Sequence, residues 1–132
     1  MKLFTLQEAN NLLPTVRPIL LKIQSRHNAI AELRETAQAA AKAAEFGGGM
    51  EGGSVYVKSL YELGKLTLEI DSLGVQLKDY SRGLIDFPAM RDGRVVLLCW
   101  QMGEGDELEW WHEVDDGYSG RRPIGEAFEK SH

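Results

Sequence analysis

The sequence predicts an α+β fold: a long antiparallel helical hairpin, with a short leading helix, packs on a small C-terminal antiparallel sheet. Two observations predict this class. Apolar residues recur about every seven positions up to residue 73, and from about residue 75 they alternate with a period of two. The glycine-rich segment 46–53 lies between the two helical stretches and predicts a flexible connector.

The composition predicts one domain over residues 1–124, followed by a frayed tail at 125–132. The chain has 132 residues, a formal net charge of −5 and a single cysteine. A negative net charge argues against nucleic-acid binding, and no apolar run has the length of a membrane span. One cysteine cannot form an internal disulfide. We therefore expect a cytoplasmic protein with neither a nucleic-acid nor a membrane partner.

The first helix is predicted over residues 6–13. Thr5 and Glu8 have the spacing of a capping box, in which each side chain bonds the backbone N–H of the other residue. Pro14 lacks an N–H and therefore cannot bond to the preceding turn. We expect it to end the first helix and to begin a second one over residues 14–45.

The second and third helices carry the apolar seams of a hairpin. In the second helix the seam runs through Val16, Ile23 and Ile30, and the third is predicted over residues 54–73, where Gly74 ends it. A helix over 14–45 would be about 48 Å long, whereas a compact chain of this size is only about 36 Å across. The seams therefore predict an elongated molecule or a second chain that covers the overhang.

Four strands are predicted in the C-terminal half, over residues 75–79, 84–87, 94–102 and 107–114. Asp92 and Gly93 form a strong turn signal between the second and third strands. The third strand is apolar on both faces, which is typical of a central strand. Because side chains alternate along a strand, Cys99 and His112 should share a face of the final hairpin whether its loop has two or four residues.

Several C-terminal motifs resemble those of a known family. They are GLIDFP at residues 83–88, LCWQMGE at 98–104, WWHE at 110–113 and GYSGRRP at 117–123. With these motifs the chain is similar, from Thr5 to about Ile124, to a prokaryotic family called domain of unknown function 2203. The resemblance supports the predicted fold and a cytoplasmic location, and it implies no activity, cofactor or substrate.

The candidate site is a metal site formed by Asp86, Glu104 and His112, with Cys99 as an additional ligand. Imidazole and carboxylate donors suit zinc, manganese or iron. The alternatives are a structural hydrogen bond between His112 and a carboxylate such as Asp86, and an acid–base pair of Asp86 and Glu104. A Cys99–His112 nucleophile pair is disfavoured, because burial raises a thiol pKa and blocks substrates.

Trp100, Trp111 and Arg121 are the candidate partner-binding residues. Residues 95–120 carry seven acidic and no basic side chains, so an aromatic ring there suits a partner that bears arginine or lysine. The competing interpretation is that the tryptophans are core residues and that Arg121 pairs with Asp115, Asp116 or Glu113.

These patterns predict a non-enzymatic cytoplasmic interaction protein that self-associates through its helical hairpin. A homodimer is the simplest assembly, and an unidentified protein partner is the further candidate. The alternative is a divalent-metal-binding protein or a metal-dependent enzyme that uses Asp86, Glu104 and His112. An unpaired apolar helix face would favour self-association, and converging polar groups would favour a metal site.

Overall fold

The computed structural model describes residues 1–44 and 53–125 of the chain. Two α-helices precede a five-stranded sheet, so the protein belongs to the α+β class. The elements are α1 (Leu6–Ala44), α2 (Gly53–Ser72), β1 (Gln76–Asp79), β2 (Leu84–Arg91), β3 (Arg94–Gln101), β4 (Trp110–Glu113), a 3₁₀ turn (Tyr118–Gly120) and β5 (Arg122–Pro123). The predicted connector up to residue 52 and the predicted tail from residue 126 lie outside the described residues.

Helix α1 begins at the predicted capping box. The Glu8 N–H donates to Thr5 Oγ1 at 3.1 Å, and the Thr5 N–H donates to Glu8 Oε1 at 2.8 Å. The expected break at Pro14 is wrong, because one continuous helix covers the ranges predicted as 6–13 and 14–45. A proline inside a helix costs about 3 kcal/mol. Fully buried side chains on both sides of Pro14 and Pro18 offset this cost, namely those of Leu13, Val16 and Leu20.

Helix α2 agrees closely with the predicted range 54–73. It ends where Gly74 takes a φ of +85°, which the sequence predicted from the ease with which glycine adopts left-handed geometry. A Cβ at Gly74 would also lie 2.9 Å from Cβ of Lys2. Helices α1 and α2 contact each other, for example through an ion pair of 3.0 Å between Arg26 and Glu62.

The sheet is antiparallel throughout, and its strands lie in chain order from β1 to β5. Strand β2 continues past Pro88, beyond the predicted end at residue 87. Asp86 is the last residue of β2 that pairs with β1, where it lies opposite Gln76. Pro88 lies beyond this point, so its missing N–H removes no bond to β1. Asp92 and Gly93 form the predicted turn, and both have positive φ angles, of 49° and 77°.

Strand β4 is shorter than the predicted 107–114, because the chain before it bonds elsewhere. The Leu108 N–H donates to Asn10 Oδ1 at 2.7 Å, and Trp100 Nε1 donates to the Gly105 carbonyl at 2.9 Å. The first bond holds the loop against α1, and the second holds it against the Trp100 side chain, outside the backbone ladder of β3. Strand β5 was not predicted, and it pairs Arg122 with Trp111 at the edge of the sheet.

The two faces of the sheet have different partners. One face packs into a core shared with both helices, through Ile85, Phe87, Ala89, Val96, Leu98 and Trp100. The opposite face, which we call the outer face, carries Leu84, Asp86, Leu97, Cys99 and His112, all of them buried. The shared face of Cys99 and His112 is as predicted. Within residues 1–44 and 53–125, neither helix has the length and apolar content needed to cross a membrane.

Candidate functional site

Three neighbouring strands bring Asp86, Cys99 and His112 together on the outer face. Asp86 on β2 lies directly opposite Cys99 on β3, and His112 on β4 lies opposite Leu97, the next residue of β3 on the same face. One carboxylate oxygen, the Cys99 sulfur and one imidazole nitrogen all lie within 4.8 Å of one another. We call this group the outer-face cluster.

The hydrogen bonds of His112 determine how its protons are arranged. Nδ1 lies 2.8 Å from the Glu113 carbonyl oxygen, and Nε2 lies 3.0 Å from Oδ1 of Asp86. A carbonyl oxygen only accepts, so Nδ1 must carry a proton. The contact between Nε2 and Asp86 then holds one further proton, on either the imidazole or the carboxyl. Both side chains are about 3% exposed or less, so this shared proton keeps a buried pair neutral overall.

Cys99 is a buried thiol and not a thiolate. Its burial, together with the negative charge of Asp86, raises the thiol pKa from its ordinary value of 9.0 to about 12, although Arg121 acts in the opposite direction. Both nitrogens of His112 already have partners, so neither is available to deprotonate Cys99. The geometry therefore does not support a cysteine–histidine nucleophile.

Arg121 covers the cluster from the loop before β5. Its guanidinium donates to Glu104 Oε1 at 2.7 Å and to the Cys99 carbonyl at 3.4 Å. The guanidinium also lies over the rings of Trp110 and Tyr118, with centroid distances of 5.1 and 4.7 Å. The side chain is only 10% exposed, and its Nε is the one buried side-chain polar atom of the described residues that lacks a hydrogen-bond partner.

Glu104 lies apart from the cluster to which the sequence assigned it. Its carboxylate accepts the Gln101 N–H at 2.6 Å and the Arg121 guanidinium, so it closes the turn after β3 and neutralises the arginine. The third member of the group is Cys99, which the sequence named as an additional ligand. Arg121 was expected to pair with Asp115, Asp116 or Glu113, and it pairs instead with Glu104.

The two tryptophans expected to face a partner are core residues. Trp100 is 1% exposed and Trp111 is 4% exposed. Two arginines of the same chain, Arg91 and Arg122, lie over the Trp111 ring at 4.7 and 5.2 Å from its centroid. Neither ring is presented to solvent, which favours the competing interpretation that these tryptophans are core residues.

A second feature, on α2, was not singled out from the sequence. Large apolar side chains there are 42–68% exposed and lie along one side of the helix; they are Val57, Leu60, Tyr61 and Leu68. We call them the α2 stripe. The spacing of Val57, Tyr61 and Leu68 is helical and could have signalled this face. The stronger seam through Leu63, Leu66 and Ile70, which packs on the core, obscured it.

The fold and site define an α+β protein with a buried Asp–Cys–His cluster on its sheet and an exposed apolar stripe on its second helix. The chain belongs to the family described as "Uncharacterized conserved protein (DUF2203)", whose model matches residues 2–124. This agrees with the resemblance of its C-terminal motifs. Comparisons with curated proteins and with solved structures gave no match.

Proposed function

We propose that this protein is a non-enzymatic cytoplasmic interaction protein that forms a homodimer through its helical hairpin. The observation that carries the proposal is the α2 stripe, an apolar helix face exposed beside the contact with α1. Contiguous apolar surface of this kind is typical of association sites, whereas single exposed apolar residues are not. The occupant we assign to it is a second copy of the chain.

Gly64 supports a close helix crossing at the stripe. Glycine in the middle of a helix costs about 1 kcal/mol relative to alanine. Nothing within the described chain requires it, because a Cβ built at Gly64 has no neighbour within 4 Å. A second α2 helix that crosses here would use the missing side chain, since small residues let two helix backbones approach closely.

The spacing of the stripe suits an antiparallel pairing of two α2 helices. A two-fold axis between Gly64 and Lys65 places Tyr61 against Leu68 of the partner subunit, so the exposed apolar side chains on either side of Gly64 meet each other. A parallel pairing in register would instead align like charges.

The shape of α1 is consistent with an elongated dimer. Its 39 residues span about 58 Å, and Ile30 is the last buried residue among its described side chains. The C-terminal third of the helix therefore extends beyond the core of one subunit. A second copy packed along α2 would cover part of this exposed surface.

Sedimentation equilibrium at micromolar concentration tests the proposal. We expect the native chain to sediment as a dimer and Leu68→Glu to sediment as a monomer. Val114→Glu is the matched control, because Val114 is also exposed, at 55%, but lies beyond β4. We expect this control to remain a dimer. A native chain that is monomeric throughout the range, or a dimer that Leu68→Glu leaves intact, would refute the proposed interface.

A further inference from the structure

We infer that the outer-face cluster binds a divalent cation of the zinc class. The ligands are a carboxylate oxygen of Asp86, the sulfur of Cys99 and Nε2 of His112. This site does not depend on self-association, because the cluster lies on the sheet and the α2 stripe lies on the second helix.

The donor set selects the class of metal. One oxygen, one sulfur and one imidazole nitrogen lie within 4.8 Å of one another, which is the scale of a single coordination sphere. Thiolate and imidazole suit zinc and its spectroscopic substitute cobalt, whereas magnesium and calcium prefer oxygen ligands alone. The cluster therefore favours zinc or cobalt over the abundant hard cations.

His112 already has the orientation of a metal ligand. Metal-binding histidines usually donate their second ring N–H to a carbonyl or carboxylate, which fixes the ring and directs the free nitrogen at the metal. Here Nδ1 donates to the Glu113 carbonyl at 2.8 Å, and Nε2 is directed at Asp86. Binding replaces the proton between Nε2 and Asp86 with the cation.

The charges of a loaded site would balance. A divalent cation with ionised Asp86, ionised Cys99 and neutral His112 has no net charge, and Arg121 is neutralised by Glu104. A neutral cluster avoids the large cost of burying a charge. The thiol proton and the proton shared by Asp86 and His112 leave to solvent as the sulfur–metal and nitrogen–metal bonds form.

Cobalt spectroscopy tests the site directly. The reduced, chelator-treated protein is refolded with Co²⁺, because buried ligands exchange when the strands open. We expect one equivalent per chain, with a thiolate-to-cobalt charge-transfer band. The sequence has a single cysteine, so that band in the native chain identifies Cys99 as the ligand even if its variants fail to fold. Zn²⁺ should displace cobalt, and Mg²⁺ should not.

Variants and thermal stability complete the test. His112→Gln should abolish the charge-transfer band, whereas His27→Gln, on α1, should retain it. Zn²⁺ should raise the melting temperature of the native chain and leave that of Cys99→Ala unchanged. A native chain that shows no charge-transfer band and no zinc-dependent rise in melting temperature would overturn the inference. Dimerisation would be unaffected by either result.

Discussion

His112 Nε2 lies 3.0 Å from Oδ1 of Asp86, although the two residues are 26 positions apart in the chain. The contact spans the outer face of β3, since Asp86 belongs to β2 and His112 to β4. The contact gives the buried Asp86 carboxylate a hydrogen-bond partner, so this polar group can lie inside the fold. The stability of the fold and the chemistry of the cluster therefore depend on the same pair.

Removal of the imidazole should destabilise the protein strongly. His112→Leu leaves the buried Asp86 carboxylate without its imidazole partner, and we expect the free energy of unfolding to fall by about 3–5 kcal/mol. His112→Gln keeps a polar side chain beside Asp86 and should cost much less. Urea denaturation of metal-free protein measures both values. Equal losses for the two variants would show that packing and not the hydrogen bond sets the cost.

The buried thiol should make the protein less stable at alkaline pH. The pKa of Cys99 is about 12 in the folded chain against an ordinary value of 9.0, so the folded state keeps a proton that the unfolded chain loses. This contribution to stability is complete below pH 9.0 and is lost as the pH rises toward about 12, by at most about 1.4 kcal/mol per pH unit. Urea denaturation of the native chain and of Cys99→Ala isolates this slope. Identical pH profiles would contradict it.

Gly64→Ala should affect folding and association in opposite directions. In the monomeric Leu68→Glu background it should stabilise the helix by about 1 kcal/mol, because alanine has the higher helix propensity and the added Cβ meets no neighbour. In the native dimer the same Cβ lies at the proposed crossing and should weaken association roughly tenfold. Denaturation and sedimentation give the two values. If Gly64→Ala strengthens association, the two α2 helices do not cross at Gly64.

All three members of the outer-face cluster were named from the sequence, and the separation of Glu104 from them was not predictable. Alternation along β3 and β4 placed Cys99 and His112 on one face, and Asp86 was a named partner for the imidazole. Glu104 was assigned to the site because carboxylate and imidazole donors together suit a metal. Its carboxylate accepts the Gln101 N–H instead, and no pattern of residue types encodes that local bond.

The sequence by itself determined the elements whose cause is local. The capping box at Thr5, the left-handed end of α2 at Gly74 and the Asp92–Gly93 turn depend on residues within a few positions of one another. Periodicity likewise determined which side chains share a face. These features need no information from distant parts of the chain.

Only the tertiary structure decided the features that depend on distant contacts. Helix α1 continues through Pro14 because side chains such as Leu13 and Val16 are buried in a core shared with the sheet. Strand β4 begins late because Asn10 binds the backbone of the preceding loop. In each case a long-range contact outweighs a local preference worth a few kcal/mol. Such contacts exist only once the strands and helices have packed together.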